Sequence, residues 1–184
     1  MRKTIAFLLT MLLTFALSTA AFADSVPMNK EDQMVNMVRN YLDAKEYSYE
    51  YDDYVFTTQF SLNCALEYAY TTIYVYDDML AVSVDAPVAG SAEVFEKMAV
   101  FTTLANNELY YAQFRVDRDD DNIYVSCRSC NLVEDAIPGE NELYYLIGEP
   151  LVYMSEYGDG IIAVINGGDP YEAFEACQEA VDAQ

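Results

Sequence analysis

The stretch Tyr68-Ala69-Tyr70-Thr71-Thr72-Ile73-Tyr74-Val75-Tyr76-Asp77-Asp78-Met79-Leu80-Ala81-Val82-Ser83-Val84 decides the fold class. Tyr68, Tyr70, Tyr74 and Tyr76 fall on one face of an extended chain, and Ala69, Ile73 and Val75 on the other. Asp77-Asp78 is a turn signal, and Leu80 to Val84 reads as a returning strand. Upstream, Tyr47, Tyr49 and Tyr51 alternate with polar residues, and Tyr54 to Leu62 is rich in aromatic and β-branched side chains. The economical reading of Tyr47 to Ala86 is an antiparallel meander of about three strands.

Helical periods flank this block. Met34, Met37, Val38, Tyr41 and Leu42 place an apolar face on a helix from Met28 to Lys45, with Asn29 as its cap and Glu31 and Asp32 in its first turn. Pro87 and Gly90 punctuate the chain after the meander. Ser91 then caps a helix whose face is Val94, Met98, Phe101 and Ala105, and Asn106-Asn107 stops it. Gln113 to Val116 and Asn122 to Cys127 read as short strands around an Asp-rich turn. From Asn141 a helical region carries Leu143, Ile147 and Leu151; Pro150, Gly158 and Gly160 predict that it is kinked or split. Asn166-Gly167-Gly168 ends it, and Asp169-Pro170-Tyr171-Glu172 opens a last helix. The order α-β-β-β-α-β-β-α-α, with no linker or repeat, predicts one α+β domain. Its antiparallel sheet has about five strands, with helices on one face.

The N-terminus reads differently. Arg2-Lys3, an apolar run from Ile5 to Leu17 and Ala21-Phe22-Ala23 have the layout of a secretory signal peptide covering 1–23, leaving a domain of 24–184. The expected location is therefore outside the cytoplasm, in the cell envelope or periplasm or the extracellular space. The formal net charge is −22. Removing Arg2 and Lys3 makes it more negative still. Such a charge repels phosphate backbones and anionic membranes, so neither nucleic acid nor a membrane is an expected partner of the mature domain. It favours solubility and cationic partners, including divalent ions.

Cys64, Cys127, Cys130 and Cys177 make an even count, which an exported chain can oxidise, but four cysteines allow three full pairings and the sequence selects none. Cys127-Arg128-Ser129-Cys130 has redox spacing but lies on a predicted strand, where residues three apart face opposite ways. With no histidine, the usual triads, imidazole acid–base chemistry and His-ligated metals are excluded. No nucleophile elbow, P-loop or dinucleotide fingerprint is present, so no enzyme activity and no cofactor is expected; glycoside hydrolysis by a carboxylate pair is the remaining catalytic alternative, and 31 acidic residues single out no pair for it. Asp117, Asp119 and Asp121 take alternating positions as in a calcium loop, but Asn122 replaces the required glycine and Arg128 falls where the closing Glu belongs. A hairpin-tip metal site at these three carboxylates is one candidate; a solvated turn is the plain alternative. The 17 tyrosines, with no tryptophan, make the face of Tyr68, Tyr70, Tyr74 and Tyr76 the candidate ligand-binding surface, for stacking a glycan or docking a peptide.

The order of segments also resembles the YbjN domain family of bacterial proteins. The resemblance rests on Ile73-Tyr74-Val75-Tyr76-Asp77, Leu104-Ala105-Asn106-Asn107, and Phe114-Arg115-Val116-Asp117 through Val125-Ser126-Cys127-Arg128. It continues in Tyr157, Ile161, Val164 and Ile165 before Gly167-Gly168, and in Pro170-Tyr171-Glu172-Ala173. It spans roughly Phe56 to Cys177. It implies a fold similar to secretion chaperones and no catalytic residue. The expected function is a non-catalytic, exported, chaperone-like or regulatory binding module for a protein or peptide, with a homodimer compatible. The alternative is an extracellular binder of calcium or glycan, through the acidic turn or the tyrosine face.

Overall fold

A computed structural model describes residues 28–133 and 137–183. The segment read as a signal peptide, 1–23, lies outside the described residues. The elements run α1 (Lys30–Ala44), β1 (Tyr49–Asp52), β2 (Val55–Ser61), β3 (Tyr68–Val75), β4 (Met79–Ser91), a 3-10 turn (Ala92–Val94) and α2 (Phe95–Asn106). There follow β5 (Gln113–Arg118), β6 (Asn122–Leu132), α3 (Glu140–Ile165) and α4 (Pro170–Asp182). The α+β class and helix order match the sequence reading. The sheet has six antiparallel strands in the order β1-β2-β3-β4-β6-β5, one more than expected.

The extra strand comes from a tight hairpin. Asp52 pairs with Val55, so Asp53 and Tyr54 alone make the turn, with φ of 41° and 66°. Two successive left-handed residues suit the twist of a two-residue hairpin. Tyrosine there hides the signal, because the turn usually announces itself with Asn-Gly or Asp-Gly.

Pro87 does not end β4. The ladder between β4 and β6 shifts register between Asp85 and Ala89, and this irregularity holds the proline, which has no N–H to give the ladder. Strand pairing then resumes at Ala89 and continues to Ser91.

The four helices cover one face. Leu80, Val82 and Val84 of β4 meet Ile123, Val125 and Cys127 of β6 and Ile73 of β3 beneath them. From above come Met34, Val38 and Leu42, Met98 and Phe101, and Leu143, Ile147, Met154 and Ile161. Caps follow the predicted chemistry. Asn29 Oδ1 accepts from the Asp32 N–H at 2.7 Å, and Asp169 Oδ1 from Tyr171 and Glu172. Lys97 Nζ donates to the Gly167 carbonyl at 2.6 Å, satisfying the chain just past the C-terminus of α3.

The helical region from Asn141 is neither split nor ended at Pro150. It is one helix of 26 residues with Pro150 inside. Proline at 150 removes the N–H that would bond the Leu146 carbonyl. The buried Ser129 hydroxyl, on the helix-facing side of β6, donates to that carbonyl at 2.6 Å instead. The sheet thus replaces the bond the helix lost. Ser129→Ala should cost about 1–2 kcal/mol, the penalty of a buried carbonyl left unpaired, and urea unfolding would read it. Ser129→Ala in a Pro150→Ala background should cost distinctly less, since the helix can then satisfy Leu146 itself.

Candidate functional site

The second face of the sheet carries no helix among the described residues. Its side chains follow from register. One row across it is Tyr70, Asp85, Ser126 and Arg115; the next is Thr72, Ser83, Arg128 and Gln113; the next is Tyr74, Ala81 and Cys130. The tyrosines expected on one face of β3 are there. Tyr70 and Tyr76 are exposed, Tyr68 and Tyr74 half-buried, while Ala69, Thr71, Ile73 and Val75 point into the core. They form two pairs rather than one continuous platform. Tyr68 and Tyr70 meet edge to face at 5.4 Å, and Tyr74 and Tyr76 stack at 6.2 Å.

An open cavity of about 890 Å³ lies beside the second pair. Tyr74, Tyr76 and Met79 make one wall, and Leu109, Tyr110 and Tyr111 of the α2–β5 connection the other. Ser83, Asp85, Gln113, Arg115 and Arg128 supply its polar groups. The connection can stand there because β5 pairs with β6 only as far as Arg128, which leaves the side of β6 beyond it without a strand partner. Tyr111 is braced by stacking on Tyr145 of α3 at 5.5 Å. Tyr110 and Tyr111 escaped the sequence reading because they belong to a connection, where no periodicity marks a face.

The polar groups are partly committed. Arg128 Nη2 lies 2.8 Å from Asp117 Oδ2, while its buried Nε has no partner among the described residues. The buried Ser126 hydroxyl, between Asp85 and Arg115 in the register, is also unpaired. Burial pushes the Asp85 carboxyl above the usual carboxylate range, against the pull of the Ser83 hydroxyl and the Arg128 charge. Its folded-state pKa therefore exceeds the unfolded one. Stability is gained as pH falls through the folded value, and ionised Asp85 costs stability at neutral pH. Asp85→Asn keeps an acceptor for Ser83 and should raise the melting temperature at pH 7. The gap should narrow as pH falls through the folded value and close only below the unfolded value of about 3.9, where the carboxyl is protonated in both states.

The acidic turn is organised by its own backbone. Asp119 Oδ1 accepts from the N–H groups of Asn122 at 2.7 Å and Asp121 at 2.9 Å, and Oδ2 from the Tyr124 hydroxyl at 2.8 Å. The backbone donors, Asn122 first, hold its carboxyl below the ordinary range. Asp117 is engaged by Arg128. Among the described residues no group of three acidic or cysteine side chains is arranged to hold a metal ion, so Asp117, Asp119 and Asp121 are not brought together as ligands. Millimolar calcium should accordingly shift the melting temperature no more than magnesium does, and Asp119→Asn should not change that response.

All four cysteines are free thiols. Cys127 is buried in the core and Cys130 exposed on the open face, as opposite faces of one strand require. Cys64 and Cys177 contact α3 beside Gly158 and Gly160.

Searches with protein-family models and against curated protein sequences gave no match. A likeness appears in structure. The chain is similar to the crystal structure of YbjN from E. coli, described as a proposed transcription regulator. The TM-score is 0.52 and the identity 13%, over 71% of this chain and 87% of that one. The fold is YbjN-like. At that identity the likeness concerns architecture alone.

Proposed function

We propose that this chain is a non-catalytic binding module, chaperone-like or regulatory, which acts outside the cytoplasm and holds a protein or peptide on the open face of its sheet. The observation that carries the reading is that face itself. Helices cover one side of the sheet; the other presents Tyr70, Tyr74, Tyr76 and Tyr124 beside a cleft walled by Tyr110 and Tyr111. Exposed tyrosines offer contact area at low entropic cost, which suits binding faces. The YbjN-like fold and the description of its neighbour as a regulator support a binding role. Export rests on the segment 1–23. A glycan is the second reading, favoured by the Tyr74–Tyr76 stack, which presents flat aromatic surface to a sugar ring.

The test is affinity capture of the C-terminally tagged full chain, expressed in its native host, with mass determination of its N-terminus. A mature start after Ala23 and a protein partner lost in Tyr70→Ser and Tyr76→Ser together would support the reading. Residues 1–23 retained, or a partner indifferent to those tyrosines, would count against export or against the open face respectively.

A further inference from the structure

We propose that the cleft between the Tyr74–Tyr76 pair and the Leu109–Tyr111 connection is a subsite for an organic carboxylate with an apolar or aromatic body, the carboxylate lying on Arg115 and Arg128. This deepens the reading above and rests on the open face being the binding surface.

The first support is where the positive charge sits. The whole chain has nine Lys and Arg against 31 Asp and Glu, and Arg115, Arg118 and Arg128 all fall on the β5–β6 hairpin. Arg118 lies over the Phe95 ring at 5.4 Å, on the helix side. Arg115 and Arg128 share the open face and line the cleft. Gln113 is the residue opposite Arg128, so Arg115 is its diagonal neighbour. Such neighbours are about 7–8 Å apart, close enough for long side chains to meet one small ligand group.

The second support is unspent hydrogen-bonding capacity. Arg128 uses one nitrogen on Asp117 and leaves Nε buried without a partner. Arg115 makes no side-chain hydrogen bond or ion pair among the described residues, and the Ser126 hydroxyl next to it is buried and unpaired. A guanidinium presents a planar fork that matches a carboxylate. Arg115 is exposed and the Arg128 side chain partly so, which leaves guanidinium N–H groups within reach of an acceptor-only ligand group in the cleft.

The third support is the wall chemistry. Tyr74, Tyr76, Tyr110, Tyr111, Met79 and Leu109 enclose the arginines with aromatic and aliphatic surface. A bare inorganic anion would leave that surface unused, whereas an anion with an apolar body covers both parts. The general negative charge of the chain opposes any anion at long range, and salt screens it. Recognition is therefore confined to this cleft, where the forks are close.

The test titrates N-acetyl-phenylalanine and its neutral amide into the full chain, following tyrosine emission, which no tryptophan obscures. The free carboxylate is expected to bind at least about ten-fold more tightly than the amide. Arg115→Gln should erase that preference, Arg115→Lys should retain part of it, and Arg118→Gln should leave it intact. Equal affinity for acid and amide would overturn the proposal and leave stacking on the tyrosines as the recognition. Absence of binding by both at millimolar concentration would overturn it as well. Neither outcome touches the capture experiment with the Tyr70 and Tyr76 variants, so the subsite and the open-face reading can fail separately. Arg115 is exposed, and an unchanged melting temperature of each variant would show that a lost preference is not lost structure.

Discussion

Gly160→Ala should destabilise the protein by about 3 kcal/mol, at the upper end of what overpacking a core with one methyl group costs. A Cβ at Gly160 would lie 2.5 Å from Phe101 Cζ, 2.6 Å from Cε2 and 2.8 Å from Cys177 Sγ. Phe101 on α2 and Cys177 on α4 are both buried, so Gly160 marks the place where three helices close on one point. The Phe101 ring is further held edge to face against Tyr157 at 6.3 Å, and Tyr157 in turn meets Phe114 at 5.7 Å. Both contacting side chains are buried, so relieving the overlap requires packed neighbours to shift. The same substitution at Gly148, in the same helix, meets nothing within 4 Å. There Ala should stabilise by roughly 0.5–1 kcal/mol, because glycine loses more conformational freedom on entering a helix. Urea unfolding of both variants reads the opposite signs. Phe101→Leu added to Gly160→Ala should recover part of the loss, since the two sites share a contact and should couple. Losses at Gly160 and Gly148 of equal size would show that close packing at Gly160 is not what selects glycine there.

The same glycines show how far the sequence could be read. Gly158 and Gly160, taken with Pro150, predict a broken helix, because along one chain glycine and proline are breakers. In the folded molecule they are contact residues: Gly160 admits Phe101, Gly158 admits Cys64, and the bond lost at Pro150 is supplied by Ser129 from β6. Those partners lie on other elements, so local pattern carries no trace of them. What repeats locally was legible. Alternation on β3 gave its open and buried sides, helical spacing gave the faces of α1 and α2, and Asn29, Ser91 and Asp169 gave the caps. The sixth strand was hidden by a hairpin turn made of Asp53 and Tyr54 without glycine. In the candidate site, the β3 tyrosines could be placed from sequence. The opposing wall could not, because it depends on β5 ending before β6 and on Tyr111 finding Tyr145. Asp117 and Asp119 were visible as an acidic cluster. That one serves Arg128 and the other a turn is a matter of geometry.

Asn106→Ala should cost about 2–3 kcal/mol, one increment for each of two backbone groups left without a partner. Asn106 is the last residue of α2, and its side chain clasps β5 as a neighbouring strand would. Its Oδ1 accepts from the Phe114 N–H at 2.7 Å, and its Nδ2 donates to the Phe114 carbonyl at 3.0 Å. β5 is an edge strand, bonded to β6 on one side only, so these two bonds occupy backbone groups that would otherwise face outward. Phe114 itself is buried against Tyr157. The clasp therefore fixes the edge of the sheet and the α2–β5 connection whose Tyr110 and Tyr111 wall the cleft. Asn106→Asp tests the geometry. It keeps the acceptor for the N–H but sets a carboxylate against the Phe114 carbonyl, so at neutral pH it should be no better than alanine. On acidification it should regain stability, because a protonated Asp can again donate. Amide exchange at Phe114 supplies the local reading: it should rise in Asn106→Ala more than global destabilisation accounts for. Equal protection of Phe114 in the variant and the parent would mean that the strand edge holds without the clasp. Loosening this edge should also weaken the binding proposed for the cleft, since Arg115 follows Phe114 on the same strand, which links the packing of α2 to the surface proposed to do the binding.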